Sequence, residues 1–279
     1  EMQERINELE NVTSCRLVPY SNCAGAYFNN TNLSGMDLTG INFQNAVLTE
    51  ANLNGADLSY ADLTNADLND ADLSNAYFQY ADLTDASLFR ANLTDANLND
   101  ADLTNADLQF ADLAGAYLND ADLTDAIFFH ADLTDARLRY ADLDGAILNF
   151  ADLAGAYLNY ADLTDANLYS ADLTDANLNV ADLTNADLRY ADLDGANLNS
   201  ADLTNADFQD ADLADADLNY ADLTNADFQD ADLAYATLSE ADLKFAKFSG
   251  ATVTYANFDD TYWHETMWTD GVRYDTNQA

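Results

Sequence analysis

The sequence predicts an all-β solenoid in which very short strands alternate with corners. Three observations predict it: an unbroken five-residue period, an apolar residue fixed at one position of each unit, and turn-forming residues behind it. Repeats are the first thing to look for, because they decide the architecture. The stretch from Ser21 to Asp270 divides into 50 consecutive pentapeptides, (270 − 20)/5. The central residue, i, is Cys23, then Phe28, Leu33, Leu38 and onward, Leu or Phe through Phe248. The series ends Val253, Phe258, Trp263, Trp268. Position i−2 is Ala from Ala46 through Ala256.

A period of five buries no single face of a helix, which needs 3.6 spacing, and breaks the strict alternation of a long strand. Ala-x-Leu does alternate once, putting both side chains on one side. The next two residues are of the Thr-Asp, Thr-Asn or Asp-Gly kind, which suit turns. Each unit therefore reads as a minimal strand plus a corner, with Leu and Ala inside.

The tandem A(D/N)LXX units, such as ADLTDANLNV, resemble the pentapeptide-repeat family over about nine-tenths of the chain. The resemblance implies a right-handed quadrilateral parallel β-helix with four pentapeptides per coil. It places Leu or Phe at i on the axis, Ala at i−2 in the corners, and the other positions toward solvent. On that basis residues 21–270 make about 12.5 coils, roughly 60 Å at ~4.8 Å per coil. Residues 20 apart then stack, so Phe208, Phe228 and Phe248 should form one internal aromatic ladder.

A solenoid needs capped ends. Residues 1–20 are expected to cap the first coil, because Met2, Ile6, Leu9 and Val12 follow the spacing of a short amphipathic helix within Glu1–Thr13. The aromatic stretch Tyr255–Tyr274, with Tyr262, Trp263 and Trp268, is expected to close the last coil, leaving 271–279 as a C-terminal tail. Cys15 and Cys23 flank Pro19 where cap and coils meet. A disulfide between them would staple the two and suit an oxidising compartment; the alternative is two free thiols. With a chain that opens on Glu1 and sequons at Asn11, Asn29, Asn32 and Asn92, this leans toward export: periplasm, thylakoid lumen or extracellular space.

The chain carries 51 acidic and 9 basic residues, a formal charge of −42. That charge argues against direct binding to nucleic acid or an anionic membrane. No window approaches the ~20 apolar residues of a membrane span. At 49% apolar residues there is enough to bury that charge does not imply disorder. Nothing resembles an enzyme, and no cofactor is expected. The chain lacks a P-loop, a dinucleotide fingerprint and G-x-S-x-G. His264-Glu265 starts like H-E-x-x-H, but Trp268 stands where the second His should be, so no metal site is expected. Uniform exposed carboxylates do not give the split pKa values of a catalytic pair.

Function is therefore sought on the surface. Residues ending in 2 are Asp from Asp62 through Asp242, except Asn92, which puts Asp ladders on two opposite faces. The other two faces vary. One carries a candidate interaction patch: Phe89, Phe110, Ile127, Phe129, His130, Ile147, Phe150, Tyr169 and Tyr190. Apolar patches on a charged surface mark contact sites. The opposite face holds Tyr60, Tyr77, Tyr80, Tyr117, Tyr140, Tyr157, Tyr160 and Tyr220 with Arg137 and Arg139.

The first expectation is a non-enzymatic scaffold that binds a protein partner or itself, as a dimer or filament, through this patch or its ends. A second is DNA mimicry toward a type II topoisomerase, known for some members of the family. Spreading −42 over roughly 60 Å gives about one charge per 1.4 Å, near the ~1.7 Å of duplex DNA. A third is weak binding of divalent cations or a mineral surface through the Asp ladders.

Overall fold

A computed structural model describes residues 15–277. The repeats form a β-helix. Parallel bridges join residues 20 apart at i−1, as in Asp62↔Asp82 and Asp67↔Ser87, so one coil is four pentapeptides. The chain divides between Arg137 and Leu138 into two compact units, and the same pattern runs through each.

Backbone bonding explains why five residues suffice. In the unit Ala61–Asn65, the Asp62 amide donates back one coil to the Ile41 carbonyl, at 2.9 Å. The Leu63 and Asn65 amides donate forward, to the Asp82 and Thr84 carbonyls at 2.7 and 2.9 Å. The Ala66 amide closes the corner onto the Leu63 carbonyl at 2.9 Å. That i to i+3 bond, with positive φ at its third residue, is a type II turn. Every fifth residue from Tyr20 to Glu265 has positive φ, whatever its side chain. Such turns favour Gly or Asn, yet Tyr60, Phe110 and Val180 also adopt this conformation. Gly40 has φ +63°, and a Cβ there would meet the Tyr20 ring, which would have to move.

The core is Leu or Phe at i and Ala at i−2, nearly all fully buried. Phe208, Phe228 and Phe248 stack in parallel with ring centres 4.7 and 4.9 Å apart, the ladder their spacing predicts.

The ends depart from the period. The expected cap helix at Glu1–Thr13 lies outside the described residues, and no helix occurs among those described. Cys15 and Cys23 are joined by a disulfide, with Cα atoms 5.1 Å apart, and Cys23 also fills an i position. At the other end, strand β1 (Thr266–Met267) pairs antiparallel with β2 (Arg273–Tyr274), so part of the expected tail folds back as a hairpin. Closure there belongs to the tryptophans: Trp268 packs on Phe248 and Phe258, and Trp263 packs on Trp268. Tyr255 and Tyr262 do not share it, because both stay exposed. His264 latches the hairpin, its Nδ1 3.2 Å from an Asp275 carboxylate oxygen that also accepts the Glu265 amide.

Candidate interaction face

One amide per pentapeptide, at i+1, is left over by the backbone pattern. The side chain at i−1 takes it. The Thr64 amide donates to Asp62 Oδ1 at 3.1 Å, and the Thr64 hydroxyl donates to the same oxygen at 2.6 Å. The motif recurs at Asp102, Asp122 and Asp132, and Asn92 does the same for Thr94. It is an Asx turn, in which a short side-chain oxygen stands in for a backbone acceptor. At three units where i−1 is neither Asp nor Asn, an Asn one coil back substitutes. Asn69 Oδ1 accepts the Phe89 amide, Asn99 Oδ1 the Asn119 amide, and Asn219 Oδ1 the Ser239 amide. The Asp ladders are thus first of all structural acceptors, and at Asp62 and Asp242 the second oxygen is engaged as well, by Asn42 and Lys244.

The nine candidate residues fall into two clusters, one in each unit. In residues 15–137, the Phe110 ring lies between its neighbours: 5.7 Å from Phe89, 5.8 Å from Phe129, and stacked on His130 at 5.4 Å. Phe129 and His130 meet edge-on at 4.4 Å, and the Arg90 guanidinium lies over Phe89 at 5.2 Å. Ile127 shares the face. Phe89, Ile127 and Phe129 are half-exposed, whereas Phe110 is exposed. In residues 138–277, Phe150, Tyr169 and Tyr190 form an edge-to-face row with spacings of 5.7 and 5.3 Å. Ile147, Phe150 and Tyr190 are exposed there, and Tyr169 is half-buried.

Arg189 anchors the second row. Its Nε and Nη2 donate to both oxygens of Asp187, at 2.8 and 2.6 Å, while its guanidinium lies over Tyr169 at 5.6 Å. Burial opposes the charge on Asp187, but the bonds from Arg189 outweigh it and hold its pKa below the ordinary carboxylate value. Asp207 lies 3.8 Å from Arg189 on the next coil, and there burial wins and raises the pKa. The Asp210 carboxylate beside the Tyr190 hydroxyl keeps that phenol protonated to higher pH. Among the described residues no three His, Cys, Asp or Glu side chains converge on a metal-binding arrangement. No helix described is long and apolar enough to cross a membrane.

The family profile described as pentapeptide repeats matches overlapping stretches that together span residues 21–262. The chain belongs to the pentapeptide-repeat family. No curated protein matches it. Among solved structures it is similar to HetL, a pentapeptide-repeat protein involved in heterocyst differentiation regulation in Nostoc sp. strain PCC 7120. That match has 36% identity over 84% of this chain and 92% of HetL, with a TM-score of 0.30. A pentapeptide-repeat protein of the Arabidopsis thaliana thylakoid lumen is 29% identical over 46% of this chain and 73% of its own, with a TM-score of 0.24. QnrB1, a plasmid-mediated fluoroquinolone resistance protein, is 21% identical over 81% of this chain and 90% of its own, with a TM-score of 0.24.

Proposed function

We propose that this pentapeptide-repeat protein is a non-enzymatic scaffold that binds a protein partner through its aromatic rows. The observation that carries the reading is the placement of exposed Phe110, Phe150 and Tyr190 at left-handed i+2 positions. Asp occupies the same column at Asp70 and Asp210 without steric difficulty. A large apolar ring there costs backbone strain and water exposure, and it improves no core contact. The structural role of the i−1 carboxylates weakens the cation-binding alternative, because one oxygen of each is already engaged in the turn. The Cys15–Cys23 disulfide supports an exported location.

Affinity capture with the wild type and a Phe110→Asp, Phe150→Asp variant tests the reading. Asp at both positions fits the turn, so the coils persist. The expected result is loss of the captured partner. Identical capture by both proteins contradicts the proposal. Export is tested separately by alkylating the protein as purified from its native source without reductant; modification of Cys15 and Cys23 would contradict it.

A further inference from the structure

The arginines of the coils share one habit. Between residues 21 and 270 there are four, Arg90, Arg137, Arg139 and Arg189. Each lies over an aromatic ring: Phe89, Tyr117, Tyr140 and Tyr169 respectively, at 5.2, 4.5, 4.7 and 5.6 Å. Arg139 does more. Tyr140 and Tyr160, one coil apart, stack with centres 4.9 Å apart, and Arg139 spans both, 4.7 Å from one ring and 5.4 Å from the other. Its Nη2 also donates to the Tyr140 hydroxyl at 3.0 Å. A stacked tyrosine pair on this surface is therefore a seat for a guanidinium.

The unit of residues 15–137 holds an equivalent pair without an occupant. Tyr60 and Tyr80 stack with centres 5.1 Å apart and planes 14° from parallel. Both are more than half exposed, at 60% and 54%. The positions matching Arg139 in sequence register are Ser59 and Gln79, which bond to each other at 3.2 Å. Among the described residues no basic side chain lies over this pair. The Asp100 carboxylate, one coil on from Tyr80, and that of Asp120 add negative potential beside the pair and raise the pKa of Tyr80. Rings that present π-faces beside carboxylates match a planar cation in both shape and charge.

We propose that the Tyr60–Tyr80 pair, with Asp100 beside it, is a binding seat for an arginine side chain of a partner protein. The proposal concerns a different surface from the Phe110 and Phe150 rows and stands independently of them. Arginine is favoured over lysine because its flat guanidinium can cover two stacked rings, as Arg139 does, whereas an ammonium is a strongly hydrated point charge.

The test uses the full chain with ring-labelled tyrosine, titrated with tetra-arginine and tetra-lysine peptides and followed by NMR. The Tyr60 and Tyr80 ring signals should shift with tetra-arginine, with apparent affinity at least about threefold tighter than with tetra-lysine. Tyr140 and Tyr160 should stay still in the wild type and respond in an Arg139→Ala variant, whose seat is vacated. Equal response of Tyr60 and Tyr80 to both peptides would show simple charge attraction and overturn the proposal. So would a failure of Tyr140 and Tyr160 to respond once Arg139 is removed.

Discussion

Asp122 shows how much one residue does. Its Oδ1 receives the Thr124 amide at 3.0 Å and the Thr124 hydroxyl at 2.7 Å. The charge of the carboxylate is not needed for that bond, since Asn92 Oδ1 receives the Thr94 amide at 3.0 Å. Asp122→Ala should destabilise the protein by about 1–2 kcal/mol, because a partly buried donor loses its acceptor. Asp122→Asn should stay within about 0.5 kcal/mol of the wild type. Urea denaturation measures both. At i+2 the reverse problem appears. Val180 is β-branched and has φ of 60°, a conformation that costs an L-residue roughly 1–2 kcal/mol. Val180→Asn should therefore raise the melting temperature, since Asn tolerates the left-handed region; an unchanged or lower value would contradict that assignment. The acceptor role of i−1 was legible in part. Asp and Asn exchange freely there in the sequence, and the property they share is the Oδ1 oxygen. The relief by Asn69, Asn99 and Asn219 was not legible, because it needs the 20-residue stacking first.

At the scale of the element, period and spacing predict nearly everything inside. A five-residue repeat with Leu at i predicts short strands and corners with the leucines inside; that four corners make one coil is what the family resemblance implies and the 20-residue bridges bear out. The Phe208–Phe228–Phe248 ladder follows once the coil is 20 residues long. Phe228 is fully buried between its two neighbours, so Phe228→Ala should cost about 3–5 kcal/mol in equilibrium unfolding. The C-terminal closure was less legible because it occurs once and follows no period. The aromatic run from Tyr255 to Tyr274 signals a cap, but only packing decides that Trp263 and Trp268 turn inward while Tyr255 stays exposed. The candidate patch was legible as a set of columns. What the sequence could not show is the division of labour within it. Side chains at i+1, such as Phe89 and Phe129, are half-buried, and those at i+2, such as Phe110, are more exposed although their rings still pack on neighbours.

Across the whole molecule the formal charge of −42 has two consequences. The first is pH dependence. Burial, followed by the neighbouring carboxylates of Asp212 and Asp192, raises the pKa of Asp194, and burial raises that of Asp207. A carboxyl with a raised folded pKa binds its proton more tightly folded than unfolded. Its contribution makes the fold more stable as pH falls through that pKa toward the ordinary value of about 3.9. Asp187 works the other way. Its lowered pKa contributes stability above the ordinary value, which is lost as pH falls toward the folded one. Melting temperature should first rise on acidification from neutral pH and then fall. An Asp194→Asn, Asp207→Asn variant should show a smaller rise. Monotonic loss of stability below pH 7 would contradict this balance.

The second consequence concerns function. If the ladder carboxylates are structural acceptors, their charge is dispensable for recognition and the aromatic rows are not. Capture of the partner by two variants separates these roles. One carries Asn at Asp62, Asp102, Asp122 and Asp182, which keeps each turn acceptor in place. The other carries Phe110→Asp and Phe150→Asp. The first should retain the partner and the second should lose it. Retention by the aromatic variant together with loss by the Asn variant would contradict the account.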